Sequence, residues 1–238
     1  MSEARAAILA GVRRALKRAA PSTEAAAELR ARLASHCRNP VPARAVALDE
    51  AGRVDLFVAM AEEVQASVAR VASLADVPGE IARYLAAENL PAELVAAPAP
   101  ELAEIAWSDR PLLRVRHGRA EPGDAVSLTP CFAAVAETGT LMLISGAHTP
   151  TTLNFLPDTH LVVLHRRQIA ATYEDAWDRL RAARGEGEGL PRVVNFITGP
   201  SRTADIEQQI VLGAHGPRRL HIVLVEDGVL VEDGQAAA

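Results

Sequence analysis

The pattern of this chain predicts an α/β fold, a mainly parallel sheet flanked by helices and preceded by a helical N-terminal extension. Three observations carry that expectation. From about residue 75 onward, short apolar runs alternate with helical stripes, as strand–helix crossovers do. Before that point the apolar residues recur at spacings of three and four, the helical signature. Finally, residues 193–225 read as apolar run, polar turn, amphipathic stretch, glycine-rich turn and second apolar run, the order of a strand–helix–strand unit. Residues 1–74 are thus expected to form the helical extension, 75–226 the α/β domain and 227–238 a C-terminal tail.

Taken in order, Ile8, Leu9, Val12 and Leu16 mark a first helix closing on Arg13, Arg14, Lys17 and Arg18, cations suited to a helix C-terminus. Ser22-Thr23-Glu24 opens a second, Ala-rich helix that stops before Asn39-Pro40-Val41-Pro42. Val54, Phe57, Met60, Val64, Val68 and Val71 form a third stripe, and all three stripes are expected to be core faces. A helix over 77–89 precedes strands at 94–97, 112–116, 125–128, 133–136, 141–144 and 161–164. A helix over 173–183 runs out in the flexible loop Gly185-Glu186-Gly187-Glu188-Gly189. The strand over 193–197, a helix between Gly199-Pro200 and Gly213, and the strand over 220–225 complete the domain, and residues 232–238 should fray.

Composition narrows the function classes. Of 238 residues 49% are hydrophobic but only 3% aromatic, so Ala, Val and Leu must fill the core. Net charge is −5 and the arginines are spread along the chain, which argues against a nucleic-acid surface. No apolar run approaches the ~18 residues of a membrane span, and the start lacks a signal-peptide apolar region. Cys37 and Cys131 belong to no paired motif; they exclude a zinc or iron–sulfur site built from cysteines alone and point to a reducing compartment, so cytoplasm is expected. The seven histidines show no His-x-x-x-His spacing, and no metal site is expected.

Polar residues gather at two places. In Gly199-Pro200-Ser201-Arg202-Thr203-Ala204-Asp205, a helix start would offer free backbone N–H groups to an anion. Gly199 would allow close approach, Ser201 and Thr203 supply hydroxyls, and Arg202 would pair with a carboxylate or phosphate. The alternative is that a hydroxyl simply caps the helix while Asp205 or Glu207 answers its dipole. In Glu137-Thr138-Gly139-Thr140, Glu137 sits where a general base or acyl-accepting nucleophile would, or else accepts backbone N–H groups in a turn whose conformation Gly139 supplies. Both motifs are expected on one cleft at the carboxyl ends of the strands. His215 would close that pocket or stabilise its turn; His160 and His221, each opening an apolar run, read as structural, and Cys131 as a buried thiol.

These strings, with Leu156-Pro157 before His160 and Gly213-Ala214-His215-Gly216-Pro217, resemble the lactate utilisation protein C family, which carries the LUD domain. The resemblance covers roughly residues 75–226, and the helical start is similar to the family's usual lead-in. It implies a sheet of the sugar-phosphate isomerase and CoA-transferase type. It also implies a role in oxidising L-lactate to pyruvate beside iron–sulfur partner proteins, of which this chain would be the non-iron–sulfur component. The implied site comprises Glu137 as the catalytic candidate and Thr138, Gly139, Gly199, Ser201, Arg202, Thr203, Asp205 and His215 around a small anion, CoA or a nucleotide. Two functions stay open: an accessory subunit of a lactate-oxidising complex, and an acyl-transfer or ligase-type enzyme acting through Glu137.

Overall fold

A computed structural model of the chain describes residues 3–17, 19–38, 40–185, 189–206 and 209–227. Two compact units are present, Met1–Pro40 and Val41–Ala238. The first contains α1 (Glu3–Ala15) and α2 (Thr23–Ser35). Ser22 caps α2 as expected, its hydroxyl accepting the Ala25 N–H at 3.1 Å. The apolar stripe of this unit is not a core face: Ile8, Val12, Leu29 and Leu33 are exposed, because two short helices enclose no core.

The second unit runs α3 (Ala43–Val46), α4 (Glu50–Glu63), β1 (Ser67–Val71), α5 (Val77–Ala87), β2 (Glu93–Ala96), α6 (Pro100–Ala103), β3 (Arg114–His117), β4 (Val126–Pro130), β5 (Ala133–Val135), β6 (Thr140–Ile144), α7 (Thr152–Phe155), β7 (Thr159–His165), β8 (Ile169–Ala170), α8 (Tyr173–Arg184), β9 (Val194–Ile197), β10 (Arg202–Ile206), β11 (Gln209–Leu212) and β12 (Arg219–Val225). Six strands form a wholly parallel sheet in the order β1-β12-β7-β4-β2-β3. A smaller sheet, β8-β5-β6-β9, has β6 antiparallel to both neighbours, and β10 and β11 make a separate hairpin.

Side chains explain this layering. Along β7, Leu161 and Val163 face a core made with Ile81 and Leu85 of α5 and Leu153 of α7. Their neighbours Val162 and Leu164 face the opposite core, shared with Val54 and Phe57 of α4 and Leu141 and Leu143 of the small sheet. A strand buried on both faces reads as a continuous apolar run, and β7 and β12 do so. The far side of the small sheet is covered by α8 through Ala176 and Leu180.

Three expectations are corrected. The stripe over residues 54–71 is not one helix: α4 ends at Glu63, Gln65 turns at φ 70, and Val68 and Val71 belong to β1. The spacing continued by coincidence across a turn made by glutamine, which gives no sequence signal. Because β1 pairs with β12, the parallel sheet also begins before residue 75. The third correction concerns residues 202–206 and 209–212, which form the strands of the β10–β11 hairpin and no helix. Thr203, Ile206, Ile210 and Val211 are β-branched, and their stiffness suits strands over helices. The expected flexible loop over 186–188 and the tail from 228 lie outside the described residues.

Candidate functional site

Two loops converge beside the parallel sheet. One leaves β9 and crosses from Thr198 to Ser201 before the hairpin; the other, residues 213–217, leads from the hairpin into β12. Ser201 ties them together: its N–H donates to the Pro217 carbonyl at 2.8 Å, its carbonyl accepts the Gly213 N–H at 2.8 Å, and its hydroxyl accepts the His215 N–H at 3.2 Å. Ser201 therefore caps no helix, and a hairpin stands where the sequence predicts a helix start with its free backbone donors. The Ser201, Gly213 and His215 amides are all spent on closing the turn.

Beneath the two loops lies a cavity of about 380 Å³, with Asn154 and His160 among the residues around it, and Phe196, Pro200 and Leu220 as apolar wall. Gly199, Ser201, Arg202 and His215 line it as well, so four of the sequence-selected residues do meet. Its size suits a small metabolite. Its place is a correction, since His160 and Leu220 are each the second residue of their strands. The cavity thus opens at the amino ends of β7 and β12 and not at the carboxyl ends, because the strand that delivers the loop comes from the other sheet.

The remaining sequence-selected residues divide. Thr138 adjoins the cavity through a hydroxyl chain: its Oγ1 lies 2.7 Å from that of Thr140, which lies 2.7 Å from that of the cavity-lining Thr198. The Tyr173 hydroxyl sits 3.0 Å from both Thr138 and Thr140. Glu137 does not line this cavity; it is buried, its Oε2 has no hydrogen-bond partner among the described residues, and its carbonyl accepts from the Arg44 guanidinium. Thr203 lies within β10 and is not among the lining residues. The Asp205 backbone is in β10, while its side chain and Glu207 lie outside the described residues.

Both glycines prove to be packing devices. Gly139 (φ 62) and Gly199 (φ 70) hold left-handed conformations, and a Cβ on either would fall 2.3 Å from backbone, at Ala61 N and at Val64 O respectively. The carboxyl end of α4 thus lies directly on the Glu137–Thr140 turn and on the cavity loop.

Charge at the cavity is one-sided. Arg202 is exposed at its rim and makes no ion pair or hydrogen bond among the described residues. His160 is fully buried, and burial pushes its imidazole down to about 3, so it is neutral at physiological pH. Its Nε2 lies 2.8 Å from Thr129 Oγ1, and its Nδ1 has no partner among the described residues. His221 is the structural histidine the sequence suggested. Its Nδ1 lies 2.8 Å from Ser67 Oγ, its ring stacks on Tyr84 at 3.9 Å, and burial pushes it down to about 4. Cys131 is buried, its thiol pushed up to about 12 by desolvation, and is no nucleophile at neutral pH.

A pH dependence follows. Between the ordinary histidine value of 6.5 and about 3, the unfolded chain holds a proton at His160 that the folded chain does not, so stability falls as pH falls through that window. His160→Phe should lack this contribution, flattening the stability–pH slope between pH 6 and 5 by roughly 1.4 kcal/mol per pH unit. Urea denaturation of both chains at each pH measures it; equal slopes would refute it.

The sequence reading of His160 favours a structural role, and it does not single out Asn154, Thr198 or Tyr173. Asn154 just before the Leu156-Pro157 turn and the strand was the available signal.

The LUD domain family model matches residues 54–225. "Lactate utilization protein C" of Deinococcus radiodurans is 34% identical over 157 residues, covering 64% of this chain and 70% of that protein. The protein of the same name from Halalkalibacterium halodurans is 34% identical over 109 residues, 46% of this chain and 47% of its own length. The alignment with the Bacillus subtilis protein spans 42% of that relative, so for several relatives less than half their length is matched. A crystal structure of a DUF162 family protein from Deinococcus radiodurans shares the fold, with a TM-score of 0.56 and 25% identity over 75% of this chain and 99% of that one.

Proposed function

Since this chain belongs to the LUD domain family, we propose that it serves lactate utilisation as a non-iron–sulfur component supporting oxidation of L-lactate to pyruvate, beside iron–sulfur partner proteins in the cytoplasm. The names of its relatives support the pathway. One observation supports a ligand-holding role within it: Gly199–Arg202, His215 and His160, far apart in sequence, surround one cavity, and the Arg202 guanidinium at its rim has no ion-pair partner among the described residues. Arg202 faces an anion there, and the Ser201 hydroxyl, which accepts from His215, retains its own O–H to donate.

Titration of the full chain with L-lactate, pyruvate, CoA and nucleotides by calorimetry tests the cavity. Arg202→Ala should weaken the anion that binds about tenfold, the lower end for a charge-assisted hydrogen bond because the residue is exposed. Unchanged affinity in both Arg202→Ala and Ser201→Ala would place the anion elsewhere. Co-purification with iron–sulfur proteins, and loss of lactate oxidation when this chain is omitted, test the assembly. Turnover of a CoA thioester by the isolated chain, abolished in Glu137→Gln, would favour acyl transfer instead.

A further inference from the structure

We infer that a second cavity, at the carboxyl ends of β2 and β3, binds an organic diphosphate through Arg119 and Arg192. It shares no lining residue with the cavity beneath Ser201, so the inference stands apart from the reading proposed for that one. The second cavity is the larger, about 880 Å³ against about 380 Å³, a size that suits a cofactor-like molecule.

Topology puts it there. From β2 the chain moves outward to β3 at the sheet edge, whereas from β4 it moves the other way, through β7 to β12. Because β2 and β4 are neighbours, the connections leaving their carboxyl ends diverge. Open α/β sheets leave a crevice for ligands at such a point. Pro98 follows β2, Gly118 and Arg119 follow β3, and all three line the cavity. Residues of the connection from β6 to α7 and of the approach to β9 complete the lining.

Side-chain bonds fasten these loops and leave two cationic heads free. Thr152 Oγ1 accepts the Ala120 N–H at 3.2 Å, next to Arg119, and Ser145 Oγ accepts the Val193 N–H at 2.9 Å, next to Arg192. Both hydroxyls line the cavity and retain their own O–H to donate. Arg184 holds the approach to β9 from α8, its Nε and Nη2 donating to the Gly189 carbonyl at 3.1 and 2.9 Å. The exposed Arg119 and Arg192 guanidinium groups make no ion pair or hydrogen bond among the described residues, and no carboxylate is among the lining side chains.

Like charges gathered on one cavity favour an anion, and a guanidinium fork matches two phosphate oxygens at once. A monocarboxylate answers one guanidinium and leaves most of the space empty. A diphosphate has charge for both, and an organic body beside it would cover Leu190 and Val193, which line the same cavity while 58% and 37% exposed.

Calorimetric titration of the full chain with ADP, coenzyme A, inorganic pyrophosphate and adenosine is the test. ADP or coenzyme A should bind, the tighter of the two showing which organic body the cavity takes. Pyrophosphate, without that body, and adenosine, without the charge, should each bind about tenfold more weakly or less. Arg119→Ala and Arg192→Ala, both at exposed positions that spare the fold, should each weaken the diphosphate about tenfold, and Arg202→Ala should leave it unchanged. Amide NMR of the parent chain should show shifts at residues 118–120, 145–152 and 190–193 and none at 199–202 or 213–217. Absence of binding by both organic diphosphates, pyrophosphate binding as tightly as either, or unchanged affinity in both arginine variants overturns the inference. So does loss of ADP binding in Arg202→Ala with shifts around Ser201, which would place the diphosphate in the first cavity and leave the anion site proposed there standing.

Discussion

Gly139→Ala is expected to destabilise the Val41–Ala238 unit by roughly 2–5 kcal/mol. A non-glycine residue held in the left-handed region costs about 1–2 kcal/mol, and forcing apart well-packed atoms costs a further ~1–3 kcal/mol. Both penalties apply at φ 62, where the new Cβ would lie 2.3 Å from Ala61 N and 2.5 Å from Met60 C. These are backbone atoms of α4, which cannot rotate aside as a side chain would. Gly199→Ala meets Val64 O at 2.3 Å and should behave alike, with an added loss of ligand binding because Gly199 lines the cavity. Each substitution displaces the same helix end, so the double variant should cost less than the sum of the two. Urea denaturation with constant m-values measures all three chains. A loss below ~1 kcal/mol for Gly139→Ala would mean that α4 does not rest on this turn as described.

Glu226→Ala should cost about 3–5 kcal/mol, the range for removing one partner of a buried ion pair. Glu226 follows β12 and takes Arg70 Nε at 2.5 Å and Arg166 Nη1 at 3.1 Å. The Arg166 and Glu226 side chains are only 8% and 7% exposed, so loss of the carboxylate strands a buried guanidinium. Its other partner, Glu50 at 2.9 Å, is itself well exposed and compensates poorly. Replacing both members of the pair by apolar residues, Arg166→Met with Glu226→Leu, should restore most of the lost stability, since the stranded charge is then gone. Added salt should leave the parent pair nearly unaffected, because buried charges are screened little. Equal loss in the single and double variants would show that the carboxylate acts through packing alone.

Much of the fold was legible because strand burial is written locally. The runs at 161–164 and 220–225 lie in parallel strands whose successive residues feed opposite cores, and so they stand out as uninterrupted apolar stretches. Helix α2 was likewise marked by its own capping residue, Ser22. The segment after Pro200 was illegible for the opposite reason. A hairpin that joins neither sheet is not bound to the alternation of either core, and the spacing of its apolar residues fits a helix although their β-branching favours a strand.

By itself the sequence determined the α/β class, the strands and helices of the sheet layers, and the two polar motifs near which the hydroxyl chain and the cavity loop are built. Local periodicity and turn chemistry suffice for those, because they depend on neighbours a few residues away. Only the tertiary structure decided that the cavity sits at the amino ends of β7 and β12, that Gly139 and Gly199 yield to α4, and that beside Arg202's loop His160 keeps one nitrogen without a partner among the described residues. Each of these is a meeting of groups distant in the chain, fixed by which faces the layers bury against one another, and no residue's own neighbours carry that information.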